Sequence, residues 1–63
     1  RAKRVVMTIT DLDYDEATEY LTEAGGHVKT ALVMIKANVS ADEAKRRLDL
    51  TDGFVRKAIE FVD

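Results

Sequence analysis

The feature that most constrains this chain is a duplication. Residues 13 to 35 align without a gap on residues 40 to 62, at an offset of 27. Asp15/Asp42, Glu16/Glu43, Ala17/Ala44, Leu21/Leu48, Gly26/Gly53, Val28/Val55 and Ala31/Ala58 are identical, seven pairs in 23 positions. Asp13/Ser40, Lys29/Arg56, Leu32/Ile59 and Ile35/Val62 keep their character. Each copy reads as helix, glycine turn, helix. Neither pair could bury its apolar face alone, so the copies must pack together.

Local signals place the helices. Proline is absent and glycine occurs only at Gly25, Gly26 and Gly53, so the chain is punctuated at few points. Ala2, Val5, Val6 and Ile9 have the spacing that lines one face of a helix, and that helix should end near Thr10. Asp13 with Glu16, and Ser40 with Glu43, have capping-box spacing and should open the second and fourth helices. Ala17, Tyr20, Leu21 and Ala24 form the apolar face of the second. Gly25 or Gly26 closes it by adopting a left-handed conformation without a Cβ penalty.

The third helix follows, with Val28, Ala31, Leu32 and Ile35 on its main face. Val33 and Met34 widen that face, which marks it as the central helix. Ala41, Ala44 and Leu48 line the fourth helix, Asp52 and Gly53 close it, and Val55, Ala58, Ile59 and Val62 define a fifth. The expected fold is all-α: a small bundle of about five short helices, one domain over residues 1–63.

Charge and length exclude several classes of function. Ten Lys and Arg against twelve Asp and Glu give a net charge of -2 with no long run of either sign, which argues against a nucleic-acid binder. The longest apolar run, Ala31 to Ile35, is far below the roughly 20 residues that span a bilayer. No signal-peptide core is present either, so a soluble, intracellular protein without a membrane partner is expected. The absence of cysteine removes disulfides and thiolate zinc sites as sources of stability. Because the chain begins on Arg1, it reads as a piece of a longer protein.

Chemistry-bearing residues are sparse. "DLDYDE", Asp11 to Glu16, starts like a calcium loop, but Glu16 stands where the sharp turn needs glycine and Thr22 where a bidentate glutamate belongs. A capped turn is the better reading. Gly26, His27 and Lys29, at the start of the third helix, form a candidate anion contact through free N–H groups, the helix dipole and a nearby cation. The duplication puts Phe54 opposite His27, so the turn does not need imidazole in order to fold. Leu12, Tyr14, Met34, Ile35, Phe54 and Phe61 form a candidate interaction surface, to which Val33 and Leu50 add apolar area. With one histidine, no Gly-x-Ser-x-Gly and no Walker-type loop, no catalytic residue, metal ligand or cofactor site is assigned.

Two resemblances extend this reading. "DEATEYLTEAGGHVKTALVMI" resembles the second and third helices of ubiquitin-associated (UBA) domains, implying a UBA-like three-helix unit followed by a second related helical pair. "TDLDY" stands where such domains carry a Met-Gly-Phe or Met-Gly-Tyr loop. A wider resemblance covers the whole chain. "RAKRVVMTIT", "EAGGHVKTALVMI", "ADEAKRRL" and "GFVRKAIE" are similar, in that order, to the C-terminal helical region of bacterial N-acetylmuramic acid 6-phosphate etherases, relatives of the glucokinase regulatory protein. Asp11 departs from that pattern, which has glycine after the threonine.

The wider resemblance implies a cytoplasmic, dimeric lyase of cell-wall recycling that releases D-lactate from N-acetylmuramic acid 6-phosphate. Its catalytic glutamates would lie in an upstream sugar isomerase (SIS) domain. This chain would then be a C-terminal appendage whose partners are the SIS domain of the same chain and, through it, a homodimer. The resemblance carries no catalytic residue onto this sequence. A free-standing UBA-like interaction module is the alternative expectation.

Overall fold

The computed structural model describes residues 2–62; Arg1, where the first quoted segment begins, and Asp63 lie outside the described residues. Five helices follow one another: α1 (Ala2–Thr10), α2 (Tyr14–Glu23), α3 (Val28–Ala37), α4 (Ala41–Leu50) and α5 (Val55–Glu60). No strand occurs among the described residues. The all-α expectation holds, with α1 ending at Thr10 as its spacing predicts. Only α5 is shorter than expected, because Phe61 turns to an extended conformation and leaves Val62 beyond the helix, 86% exposed.

The backbone repeats itself at the offset read from the sequence. Six described residues have positive φ, and they fall into three pairs 27 apart: Asp11 and Asn38 at 60° and 56°, Gly25 and Asp52 at 68° and 57°, Gly26 and Gly53 at 85° and 80°. The hydrogen bonds repeat too. The amide of Gly26 donates to the carbonyl of Leu21 at 2.8 Å, and that of Gly53 to Leu48 at 2.8 Å. This six-to-one bond is the Schellman closure, which satisfies a carbonyl that the helix end would otherwise strand. His27 and Phe54 then start α3 and α5 with matching extended backbones, and neither side chain caps its helix.

The pair at Asp11 and Asn38 lies outside the aligned copies, and it reveals a longer unit. Shifting α1 by 27 residues superposes its sequence on α3, so that Val6 falls on Val33 and Met7 on Met34. Val6 and Val33 are the two largest fully buried side chains. Accordingly α1 packs on α2 and α3, while α3 packs on α4 and α5 in the same roles. The molecule is two overlapping three-helix units that share α3. Asp11 takes the left-handed backbone that this position needs, which glycine adopts freely and Asp tolerates better than most residues.

Because α3 serves both units, it is buried around more of its circumference than any other helix. Thr30, Ala31, Leu32, Val33 and Met34 are all buried in it. Val33 and Met34, expected to add exposed apolar surface, are absorbed by this double packing, at 0% and 5% exposure. The reverse correction applies to α1. Val6 is buried and Ala2 and Met7 pack on the core, whereas Val5 and Ile9 stay half exposed at 42% and 46%. A helix touched from one side buries a narrower stripe than its full set of apolar residues.

The two capping sites differ. At Asp13 the box is complete: the amide of Glu16 donates to the Asp13 carboxylate at 2.8 Å, and the amide of Asp13 donates to Glu16 at 3.4 Å. At Ser40 the amide of Glu43 donates to the hydroxyl at 3.2 Å, but Glu43 does not reach back. Its carboxylate is taken by Arg46 and Arg47 at 2.8 to 2.9 Å. Three charge-assisted hydrogen bonds from two arginines outcompete one neutral amide, so the second box is only half made.

Candidate functional site

The turn between α2 and α3 was the sharpest site expected from sequence. Its two glycines are accounted for by the backbone: both have positive φ, and so does Asp52 at the position equivalent to Gly25. His27 is exposed at the first turn of α3. Beside it lies a shallow depression lined by His27, Thr30, Lys45, Leu48 and Asp49. Lys29 is not part of it. Its ammonium donates instead to the carbonyl of Gly53 at 3.1 Å, tying the start of α3 to the turn before α5. The Lys29 ammonium is thus engaged at Gly53, while the depression beside His27 carries one cation, Lys45, and one carboxylate, Asp49.

The residues of the expected interaction surface are dispersed. Leu12 and Tyr14 line a cleft between α1 and α2, floored by Met7 and Leu21, where Lys3 donates to the Tyr14 hydroxyl at 3.0 Å and lies 4.8 Å from the ring centre. Met34 belongs to the core, and Ile35 is half buried against it. Phe54 starts α5 and is 58% exposed beneath the Lys57 ammonium, 5.0 Å from its ring centre. Phe61 is half buried, with the Arg46 guanidinium 5.7 Å above it. Leu50 is exposed at the end of α4.

A second groove escaped the sequence reading because its walls come from three helices. Ile9 of α1, Leu32 and Lys36 of α3, and Val55, Arg56, Ile59 and Glu60 of α5 line it. Its floor is hydrocarbon and its only polar groups are the three charged side chains. One signal was available: Val5, Leu32 and Ile59 stand in a row at successive offsets of 27, all aliphatic. Periodicity within single helices does not display such a row.

Glu43 is tuned away from proton transfer at neutral pH. Hydrogen bonds from Arg46, then from Arg47, lower the pKa of Glu43 from 4.5 to about 2. A general acid or base at neutral pH needs the opposite shift, upward through burial or a like charge. Glu16 is engaged in its capping box, and Glu19 and Glu23 are exposed on α2. Among the described residues no group of three or more His, Cys, Asp or Glu side chains is placed to hold a metal, and no helix is long and apolar enough to cross a membrane.

Comparison with known proteins gives a consistent result. Over 60 residues the chain is 65% identical to the N-acetylmuramic acid 6-phosphate etherase of Salinibacter ruber, a match covering 95% of this chain and 19% of that protein. The protein of the same name from a Geobacillus species is 52% identical over 60 residues, 95% of this chain and 20% of its own length. That from Photobacterium profundum is 48% identical over 59 residues, covering 94% and 20%. The chain thus spans about one fifth of the length of the curated relatives it matches, and it is homologous to a segment of them. No family model matches the chain, and no solved structure does.

Proposed function

We propose that this chain is the non-catalytic C-terminal helical domain of an N-acetylmuramic acid 6-phosphate etherase, and that it supports the catalytic domain or its dimer. The observation that carries the reading is the match over 95% of the chain to an etherase of which the match covers only 19%. A segment that small, taken from a lyase, contributes either catalytic groups or support. The site chemistry favours support. Glu43 is held ionised by two arginines, Glu16 is engaged in its capping box, and the lone histidine is exposed beside a shallow depression.

In this reading the parent is a cytoplasmic lyase that releases D-lactate from N-acetylmuramic acid 6-phosphate, and its sugar-phosphate site lies in the SIS domain upstream. The helical domain acts by burying apolar surface against that domain, which adds stability in proportion to the area removed from water. The test is deletion of residues 1–63 from the full-length protein, followed by lyase activity, sedimentation and thermal unfolding. Loss of stability or of the dimer, with the remaining fold intact, is expected. Unchanged activity, sedimentation and melting would overturn the reading.

A further inference from the structure

The groove shared by α1, α3 and α5 is where the structure leaves apolar surface unpartnered on adjoining helices. Ile9 is 46% exposed on one wall, Val5 42% exposed one turn before it on the same helix, and Val55 and Ile59 are half buried on the opposite wall. Leu32 forms the floor at 7% exposure. The duplication explains the gradient. In the row Val5, Leu32, Ile59 the middle residue lies on α3, which packs on all four other helices, while the outer residues lie on α1 and α5, which pack chiefly on two each. An array of this kind leaves its terminal positions under-covered unless a cap or another element packs there.

We infer that this groove is a docking site for an amphipathic helix from the four fifths of the parent protein outside this chain, an apolar stripe flanked by carboxylates. The inference rests on the proposed function, since it takes the chain to be part of a longer etherase. Three observations select this occupant. First, the relatives matched here are about five times as long as the chain, so a covering element is available within the same polypeptide. Second, the rim carries Lys36, Arg56 and Glu60. Arg56 lies 3.9 Å from Glu60 and is offset by it, which leaves the Lys36 ammonium as the uncompensated charge of the rim. An acidic residue flanking the docked stripe meets that charge. Third, a second copy of this chain fits less well, because two such faces pressed together oppose one cationic rim to another. An apolar face laid into such a groove is a recurrent mode of helix recognition.

The test uses hydrogen exchange in the full-length protein. Peptides covering Val55–Glu60 and the second half of α1 are expected to be protected. Lys36→Glu, which reverses the rim charge at an exposed position, and Ile9→Glu, which charges the groove wall, are each expected to speed exchange there by about tenfold, a loss of local stability readable by this method. Ile9→Leu should keep wild-type protection, and α2 should be unaffected in all variants. Unchanged exchange in both charged variants would overturn the inference, as would protection that rises with protein concentration, the signature of a second copy. The two readings fail separately. If removing residues 1–63 leaves activity, dimer and melting unchanged while the groove remains protected, the supporting role is lost and the docking site stands.

Discussion

The Lys29 ammonium lies 3.1 Å from the carbonyl oxygen of Gly53, so a side chain of the first helical unit closes on the turn of the second. Its counterpart in the duplication, Arg56, has no such acceptor; its side chain is 90% exposed, with Glu60 3.9 Å away. Lys29→Met should therefore cost about 0.5 kcal/mol, the low end for an exposed hydrogen bond, while Arg56→Met costs close to nothing. Urea unfolding of the two variants decides the matter, and equal effects would mean that the bond contributes nothing.

Val6 and Val33 are both fully buried at equivalent positions of overlapping units. Truncation of either to alanine removes two methyl groups from a packed site and should cost about 2 kcal/mol. Val33→Ala should be the worse of the two, since α3 is packed from both units and can relax less around the cavity. Denaturant midpoints at constant slope provide the measurement.

A Cβ added to Gly26 would meet no atom within 4 Å, so this glycine is required for its φ of +85° rather than for space. Gly26→Ala should destabilise by about 1 to 2 kcal/mol through the left-handed penalty alone. A synthetic chain with D-alanine at the same position should be at least as stable as the glycine form, because the D residue favours positive φ and orders the unfolded chain. A D-alanine form that melts like the L form would show that crowding is responsible.

Hydrogen bonds from Arg46 and Arg47 hold the Glu43 carboxyl at about 2, against 4.5 for an unperturbed glutamate. The folded value lies below the unfolded one, so the unfolded state takes up the proton first as pH falls. The contribution of Glu43 is fully present above pH 4.5 and is lost as pH drops toward about 2. Thermal unfolding followed across that window should show a slope that Glu43→Gln reduces. A variant with the same slope as the parent would place the acid sensitivity elsewhere.

Which features were readable before folding follows from how far each interaction reaches along the chain. The capping of α2 by Asp13 spans three residues, and the glycine closures at Gly26 and Gly53 span five. Such bonds form within a segment and leave their mark in its residue types. The half-made box at Ser40 is an instructive exception. Its competitors, Arg46 and Arg47, are also local, but spacing alone does not say which partner a carboxylate will choose. Of the candidate anion contact, His27 and Lys29 stand two residues apart in sequence, yet the Lys29 ammonium is engaged at Gly53 while His27 lines a depression with Lys45 and Asp49.

Helix count, order and turn chemistry were thus set by the order of residues, since periodicity, caps and left-handed positions act over a few residues at a time. Burial was not. Val33 and Met34 lie inside and Val5 and Ile9 half outside because α3 is packed by both units while α1 is packed by one. The groove between α1, α3 and α5, and the closure of Lys29 on Gly53, exist only once segments far apart in the chain meet. Packing of one surface on another is a property of the assembled helices, and apolar residues of equal hydrophobicity do not announce which of them will find a neighbour.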